Sequence, residues 1–306
     1  MQTILGSGGA IGTPLAKELK QYTDRIRLVS RKPIQVNGDD ELFPADLVNA
    51  GDVHRAVAGS EVVYLTVGLP YNIKVWQRDW PIIMSNVINA CLQHDCRLVF
   101  LDNVYMYSKD EIPHMRETAT IAPPSKKGKV RATLQEMLLT AVHNRGLKAL
   151  IARSADFYGP DNRNSPLSIS VVDEYNKGKK AFWQINASKV HSFTYTPDAA
   201  KGTAILGNTM DAYGQVWHLP TSHEKLTGRD FIEKIAAAMN RPPKYYIFTR
   251  FMMGLLGVFV PILRELGEMS YQYDRDYYFD SSKFDKRFNY TSATYDEGIR
   301  MITRGN

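Results

Sequence analysis

Lys127 and Arg131 stand four residues apart in the stretch PPSKKGKVRATLQEML, residues 123–138. The pattern predicts a helix from near Ser125 to Val142, and the spacing puts both cations on one helix face. Like charges so placed repel by a few tenths of a kcal/mol, roughly, and an anion held between them reverses that sign. Arginine keeps its proton and offers fixed donors. Lysine can exchange a proton where neighbouring charge and desolvation favour its neutral form. The same two residues also read as a solvated helix face, the commoner fate of charge runs.

A second chemical signal opens the chain. ILGSGGAIG places Gly6, Gly9 and Gly12 in a G-x-x-G-x-x-G spacing, with Gly8 added. Glycine lets backbone approach a pyrophosphate closely, and the helix that follows offers unpaired N–H groups and its positive dipole end. The context is the required one: strand before, helix after, and a second strand ending near residue 30. Gly6, Ser7, Gly8, Gly9, Ala10, Ile11 and Gly12 are therefore expected to hold a dinucleotide. The second strand ends in LVSRKP. Ser30, Arg31 and Lys32 replace the carboxylate that would hold an NAD ribose, and a hydroxyl with two cations suits the 2′-phosphate of NADP. NADP is the preferred cofactor on this reading, with NAD possible.

These groups must be positioned by the rest of a 306-residue chain, long enough for one large domain or a large domain with a smaller partner. Short β-rich runs alternate with helical patterns: QTILG, GTPLAKELKQY, RIRLVSR, AGDVHRAVAG, EVVYLTVG, WPIIMSNVINACLQH, RLVFLDNVYMY, the helix from Ser125, then KALIARSADFYG. That order predicts an α/β fold, a doubly wound parallel sheet with helices on both faces. The second half is less regular and predicts a smaller lobe. Residues 1–157 with 187–215 are assigned to the nucleotide-binding domain, and 158–186 with 216–306 to the lobe. Thr227 is expected to cap the helix GRDFIEKIAAAMN.

The net charge of +6 suits an anionic small-molecule ligand and is too slight and spread to indicate nucleic acid. Cys91 and Cys96 form neither a disulfide framework nor a metal spacing, and are expected to be buried thiols in a reducing compartment. No metal site is expected, since His191, His218 and His223 lack ligand spacing. MQTILGSGG has no leader pattern. FMMGLLGVFVPIL, 251–263, is short for a span and contains Pro261, which predicts a buried or amphipathic helix. A cytoplasmic protein with no membrane partner is expected.

The order and spacing of several segments resemble the atypical and extended short-chain dehydrogenase/reductase superfamily, of the NAD-dependent epimerase/dehydratase type, over essentially the whole chain. GSGGAIG looks like its glycine motif. FPADLVN looks like the segment in which Asp46, with Leu47, meets the adenine. VVYLTVGLPY looks like the fourth-strand motif that lines the cofactor, with Thr66, Val67, Gly68 and then Tyr71. LDNVYMYS, RSADFYGP and FTYTPDAA look like the later motifs of the family. The resemblance implies a Rossmann-type domain with a C-terminal α/β substrate lobe, a nicotinamide cofactor, sugar-derived or carbonyl substrates, and homodimers formed through the helices around 125–142 and 80–93. It also implies a Tyr-x-x-x-Lys pair after the fifth strand. In register this chain has Lys127 for the tyrosine, Arg131 for the lysine and Asn103 for the usual Ser or Thr.

The expected catalytic set is thus Lys127, Asn103, Arg131 and Tyr105, with Arg131 also reaching the nicotinamide ribose. Tyr71, Tyr107, His114, Arg153 and Tyr158 are the expected substrate contacts. Two functions follow: an NAD(P)-dependent oxidoreductase or epimerase/dehydratase-like enzyme with Lys127 as its altered acid/base, or a non-catalytic NADP-binding sensor or partner-binding protein.

Overall fold

The structure, a computed structural model, describes residues 1–160, 162 and 164–304. In chain order its first half comprises β1 (Gln2–Leu5), α1 (Gly12–Leu19), β2 (Ile26–Ser30), β3 (Glu41–Pro44), α2 (Ala50–Val57), β4 (Val62–Leu65), α3 (Ile73–Gln93), β5 (Arg97–Asp102), α4 (Lys126–Arg145) and β6 (Ala149–Arg153). There follow β7 (Asp156–Tyr158), α5 (Asp173–Asn176), β8 (Ala181–Gln184), β9 (Phe193–Tyr195), α6 (Thr196–Gly207), β10 (Val216–His218), α7 (Gly228–Ala238), β11 (Tyr245–Phe248), α8 (Arg250–Leu256), α9 (Pro261–Glu268), α10 (Ser282–Phe288) and α11 (Tyr295–Thr303).

Two compact units divide these elements. The first comprises 1–106, 127–153 and 199–219, the second 107–126, 154–198 and 220–306. The partition differs from the expected one in several respects, and residues 154–157 and 187–198, expected in the nucleotide-binding domain, cluster with the second unit. Val216–His218 pairs with Ile151–Arg153 as the outer strand of the main sheet, so it does not open the lobe. Residues 107–126, expected in the nucleotide-binding domain, cluster with the second unit: Tyr107 bridges Ile121, and Met115 bridges Phe279.

The first unit is built on a seven-stranded sheet in the order β10-β6-β5-β4-β1-β2-β3, parallel at every pairing. Its inner strands β4, β5 and β6 are near-continuous apolar runs because both faces are covered, whereas the edge strand β3 is largely exposed. On one face α2, α3 and α4 bury Val53, Trp76, Trp80, Val87, Leu134 and Leu138 against Leu5, Val63, Leu98, Phe100 and Ile151. Each such side chain contributes about 1.5–3 kcal/mol by leaving water. α3 starts at Ile73, well before the expected Trp80, because the Asn72 side chain accepts from the Lys74 and Val75 amides and the helix runs through Pro81. The second unit has its own core, in which Trp183, Phe193, Phe231 and Tyr295 pack together. Thr227 caps α7 through a reciprocal box with Asp230.

Residues 251–263 depart from expectation. They form two short helices, α8 and α9, rather than one, and most of their large apolar side chains are exposed rather than buried.

Gly207 ends α6 where a Cβ would lie 2.3 Å from the Tyr64 hydroxyl oxygen and 2.6 Å from its ring. Tyr64 is fully buried and donates to Gln2 Oε1 at 2.7 Å, so the ring has nowhere to retreat. Gly207→Ala is expected to lower stability by about 1–3 kcal/mol, measured by urea unfolding. Gly178→Ala is the comparison. Its Cβ would meet nothing within 4 Å, and the cost there is only that of its positive φ.

Candidate active site

β1 runs into the glycine loop and α1. Gly6 has φ +105°, and a Cβ on it would sit 2.4 Å from Val67 Cα, where the turn after β1 crosses the turn after β4. A Cβ on Gly12 would lie 2.6 Å from the Gly6 carbonyl oxygen, so the first turn of α1 is pressed onto the loop. Gly8 differs: its Cβ side is open for 4 Å. No side chain caps α1 at Ile11, and the Ser7 Oγ is buried without a hydrogen-bond partner. Close-packed glycines, uncapped helix N–H groups and an orphaned hydroxyl fit a phosphate-bearing cofactor. Ala10 lies exposed in the same loop, whereas Ile11 is buried at its end. Thr66 Oγ1 donates towards the Leu5 and Gly6 carbonyls, and Gly68 follows with open space on its Cβ side.

Ser30 ends β2, with Arg31 and Lys32 exposed just beyond. Asp46 accepts from the Val48 amide at 3.1 Å, which shapes the turn into α2, and Leu47 is buried beside it.

Arg131 and Lys127 both lie on the buried side of α4, so neither faces bulk water. Arg131 Nε donates to Asp102 Oδ1 at 2.6 Å, Nη2 pairs with the same carboxylate, and Nη2 reaches the Leu101 carbonyl at 3.3 Å. The guanidinium is boxed by Trp80, Phe100 and Trp76 at 4.6, 5.0 and 5.9 Å from its carbon to the ring centres. Against the expected grip on a ribose, the geometry spends these donors on protein groups. Arg153, expected at the substrate, is also buried; its Nε lies 3.7 Å from Asp102 Oδ2 and its Nη2 donates to Gln135. Lys127 is 0% exposed, with its Nζ 4.6 Å from the centre of the half-buried Tyr71 ring.

Asn103 is half-buried just past β5, and its Oδ1 accepts from the Tyr105 amide at 3.0 Å, an Asx turn that leaves its amide NH₂ as the chemical handle. Tyr105 stacks on Trp76, with ring centres 6.3 Å apart. The remaining three candidates belong to the second unit. Tyr107 is fully buried, as Lys127 is. Tyr158 is likewise packed among Phe193, Tyr195 and Tyr295, and burial pushes its phenol well above the usual range. His114 is half-exposed and its Nε2 meets Asp280 Oδ2 at 2.8 Å.

Sequence reasoning passed over Asp102, Trp76, Trp80 and Glu268. Asp102 accepts from the Asn103 amide and also serves the Arg131 ion pair. Trp76 and Trp80 form the aromatic box, and their i, i+4 spacing with Arg131 one helix away was the available signal. Glu268 of α9 accepts from the Lys126 amide, which ties the residue before Lys127. Among the described residues, no group of three or more His, Cys, Asp or Glu side chains is arranged to hold a metal ion.

A glycine-crossed βα turn on a parallel sheet, with buried polar groups at the carboxyl ends of β5 and β6, defines a Rossmann-type nucleotide-binding protein with a C-terminal lobe. Residues 3–217 match the NAD dependent epimerase/dehydratase family, and the chain belongs to that family. It is 21% identical over 243 residues to a UDP-N-acetyl-alpha-D-glucosaminuronate decarboxylase of Bacillus cytotoxicus, covering 72% of this chain and 75% of the relative. Among solved structures, a UDP-N-acetylglucosamine 4-epimerase from Bacillus cereus superposes with TM-score 0.78 at 18% identity, over 100% of this chain and 96% of that one. A dTDP-glucose 4,6-dehydratase from Streptomyces venezuelae, solved with NAD, reaches 0.81 at 14% identity, over 99% and 96%.

Removing the shared carboxylate should expose the cost of the buried guanidinium. Asp102→Asn is expected to lower stability by about 3–5 kcal/mol in denaturant unfolding. Pairing it with Arg131→Met should recover part of that loss, since no lone charge is then left in the aromatic box. No recovery would mean that the ion pair does not govern the site.

Asp280 gives a pH dependence. Burial alone pushes its carboxyl up, but hydrogen bonds from Ser282 and the His114 ring outweigh it and hold the carboxyl well below the usual range. A depressed folded value contributes stability above the unfolded pKa of about 4, and that stability is lost as pH falls through the folded value. Urea midpoints followed from pH 6 to 3 are expected to fall more steeply for the wild type than for Asp280→Asn.

Proposed function

We propose that this chain is an NAD(P)-dependent oxidoreductase or epimerase/dehydratase-like enzyme, acting on a small anionic or sugar-derived substrate, with Lys127 in the place of the family's tyrosine. The observation that carries the reading is the fully buried Lys127 over Tyr71, on a helix locked by the Arg131–Asp102 pair. A desolvated, positioned lysine is suited to proton transfer, whereas a solvated one is not. The curated relative's name specifies a sugar nucleotide bearing a uronate, which accords with an anionic substrate.

In this reading the glycine loop, Ser7 and the first turn of α1 would hold the cofactor's phosphates, and Thr66 to Gly68 would flank it. A bound nicotinamide supplies the hydride donor or acceptor. The Lys127 ammonium gives its proton to a substrate carbonyl oxygen during reduction, and its neutral amine takes one from a hydroxyl during oxidation. Asn103 donates from its NH₂ to the same oxygen. Arg131 positions Lys127 through α4 rather than touching the cofactor, and Tyr71 covers the lysine. Ser30, Arg31 and Lys32 favour NADP; the NAD found with several structural relatives keeps NAD as the second choice.

A second reading, a non-catalytic NADP-binding sensor or partner-binding protein, is favoured by the burial of Lys127, Tyr107, Arg153 and Tyr158, which leaves fewer candidates to touch a substrate.

NADPH carrying deuterium at the transferable position, incubated with the protein and a metabolite extract, separates the two. The enzyme reading expects label in a metabolite by mass spectrometry, with the rate reduced about 10²–10⁴-fold in Lys127→Ala while NADPH binding persists. Transfer unchanged in Lys127→Ala removes the lysine from the chemistry. Saturable binding with no transfer shifts the assignment to the binding protein. In the same preparation Arg31→Ala is expected to weaken NADPH about tenfold or more and NADH little.

A further inference from the structure

The α8–α9 hairpin of the second unit presents an apolar tip that the nucleotide site does not use. Phe251, Val258 and Phe259 are 78%, 77% and 80% exposed, with Leu255 and Ile262 also open to solvent. Scattered exposed apolar residues need no explanation, but a contiguous run of this kind marks an interaction surface. The tip is held firmly at its base. Met253 is buried, Thr249 caps α8 through the Met252 amide, and Arg250 donates to Ser270 and pairs with Asp274. At the far end Glu268 accepts from the Lys126 amide.

Two observations name the occupant. The first is the backbone of the turn. Gly257 N–H donates to Met253 O, the Phe259 and Val260 amides to Leu256 O, and the Leu263 amide to Val260 O. Pro261 at the start of α9 has no N–H to satisfy. Meeting these donors internally reduces the number that would be stranded in an apolar phase. The second is charge. From Lys234 to Arg264 the chain carries five cations (Lys234, Arg241, Lys244, Arg250 and Arg264) and no Asp or Glu. Arg241, Lys244 and Arg264 are exposed. β11 leads from Lys244 into α8 and pairs with β8, where the Ala181 amide bonds to the Lys244 carbonyl and brings exposed Lys180 alongside. On this two-stranded sheet Tyr246 and Phe248 contact Phe182, and Tyr246 is exposed. Arg250 and Lys234 pair with Asp274 and Asp296; the apolar tip, the aromatic strip and exposed Lys180, Arg241, Lys244 and Arg264 are the composition of a surface that rests on anionic lipid.

We propose that the α8–α9 hairpin docks the protein on an anionic bilayer surface, with Phe251, Val258 and Phe259 seated at the headgroup–acyl boundary and Arg264, Lys244 and Lys180 facing lipid phosphates. No helix among the described residues is long and apolar enough to cross a membrane, so the contact is peripheral. The expectation of no membrane partner had rested on the segment being too short to span, which leaves a peripheral contact open.

The test is flotation of the full chain with phosphatidylcholine vesicles and with vesicles containing about one-third phosphatidylglycerol. Binding to the anionic vesicles, weakened by salt and reduced about tenfold or more in Val258→Asp/Phe259→Asp, supports the proposal. Both side chains are exposed, so the variant is expected to keep its thermal midpoint and NADPH affinity. Phe259→Trp should show a blue-shifted emission on the same vesicles. No binding to either vesicle overturns the proposal, as does binding that the double variant retains. A dimer by light scattering that the double variant abolishes, without vesicle binding, also overturns it and assigns the tip to a second copy of the chain.

Discussion

The Asp102 carboxylate ends β5, takes the Arg131 Nε at 2.6 Å and lies 3.7 Å from the Arg153 Nε on the neighbouring strand. A buried guanidinium without such a partner costs several kcal/mol, so this contact fixes how α4 can rotate against the sheet. Lys127 sits one turn earlier on the same face, and its position over Tyr71 follows from that rotation. The aromatic rings add to the constraint. Trp76 and Trp80 come from α3, Phe100 from β5, and all three face the same cation. Helix, strand and loop are thus held to one another at the carboxyl end of the sheet, where open α/β folds place their ligands.

The charge balance follows. Under the proposed register, a phenol is replaced by an ammonium and an ammonium by a guanidinium, so the buried helix face gains one positive charge. Buried charge must be compensated close by, and the first residue past the apolar part of β5 is a carboxylate. A guanidinium also differs from an ammonium in wanting planar, fixed partners. Asp102, the Leu101 carbonyl and the stacked rings provide these, which makes Arg131 a structural anchor.

The parts legible in the sequence are those decided within a few residues. Gly6 must be glycine because of its own φ and the passage of Val67, and the strand–turn–helix context announced it. The parallel sheet followed from the alternation of strand and helix patterns, and Thr227 was readable as a cap from its neighbours alone. The Arg131–Asp102 pair spans 29 residues, and whether a helical arginine meets solvent, phosphate or carboxylate depends on which strand lies beneath it. Tyr158 and Arg153 were placed at the substrate by motif order, yet side-chain packing buried them. Val216–His218 looked like the start of the lobe because three residues carry too little pattern to name their sheet.

The 251–263 segment failed for a different reason. Hydrophobic periodicity records that a face is apolar; it does not record whether protein covers it. A buried helix and a surface-seeking one share composition, and the difference lies in what flanks them. Here exposed cations lie nearby, the Gly257, Phe259, Val260 and Leu263 amides of the turn are bonded internally, and the base is pinned by Met253, Arg250 and Glu268. A mobile apolar loop would collapse onto its own lobe to shed water. A hairpin pinned at both ends cannot, so its tip stays presented.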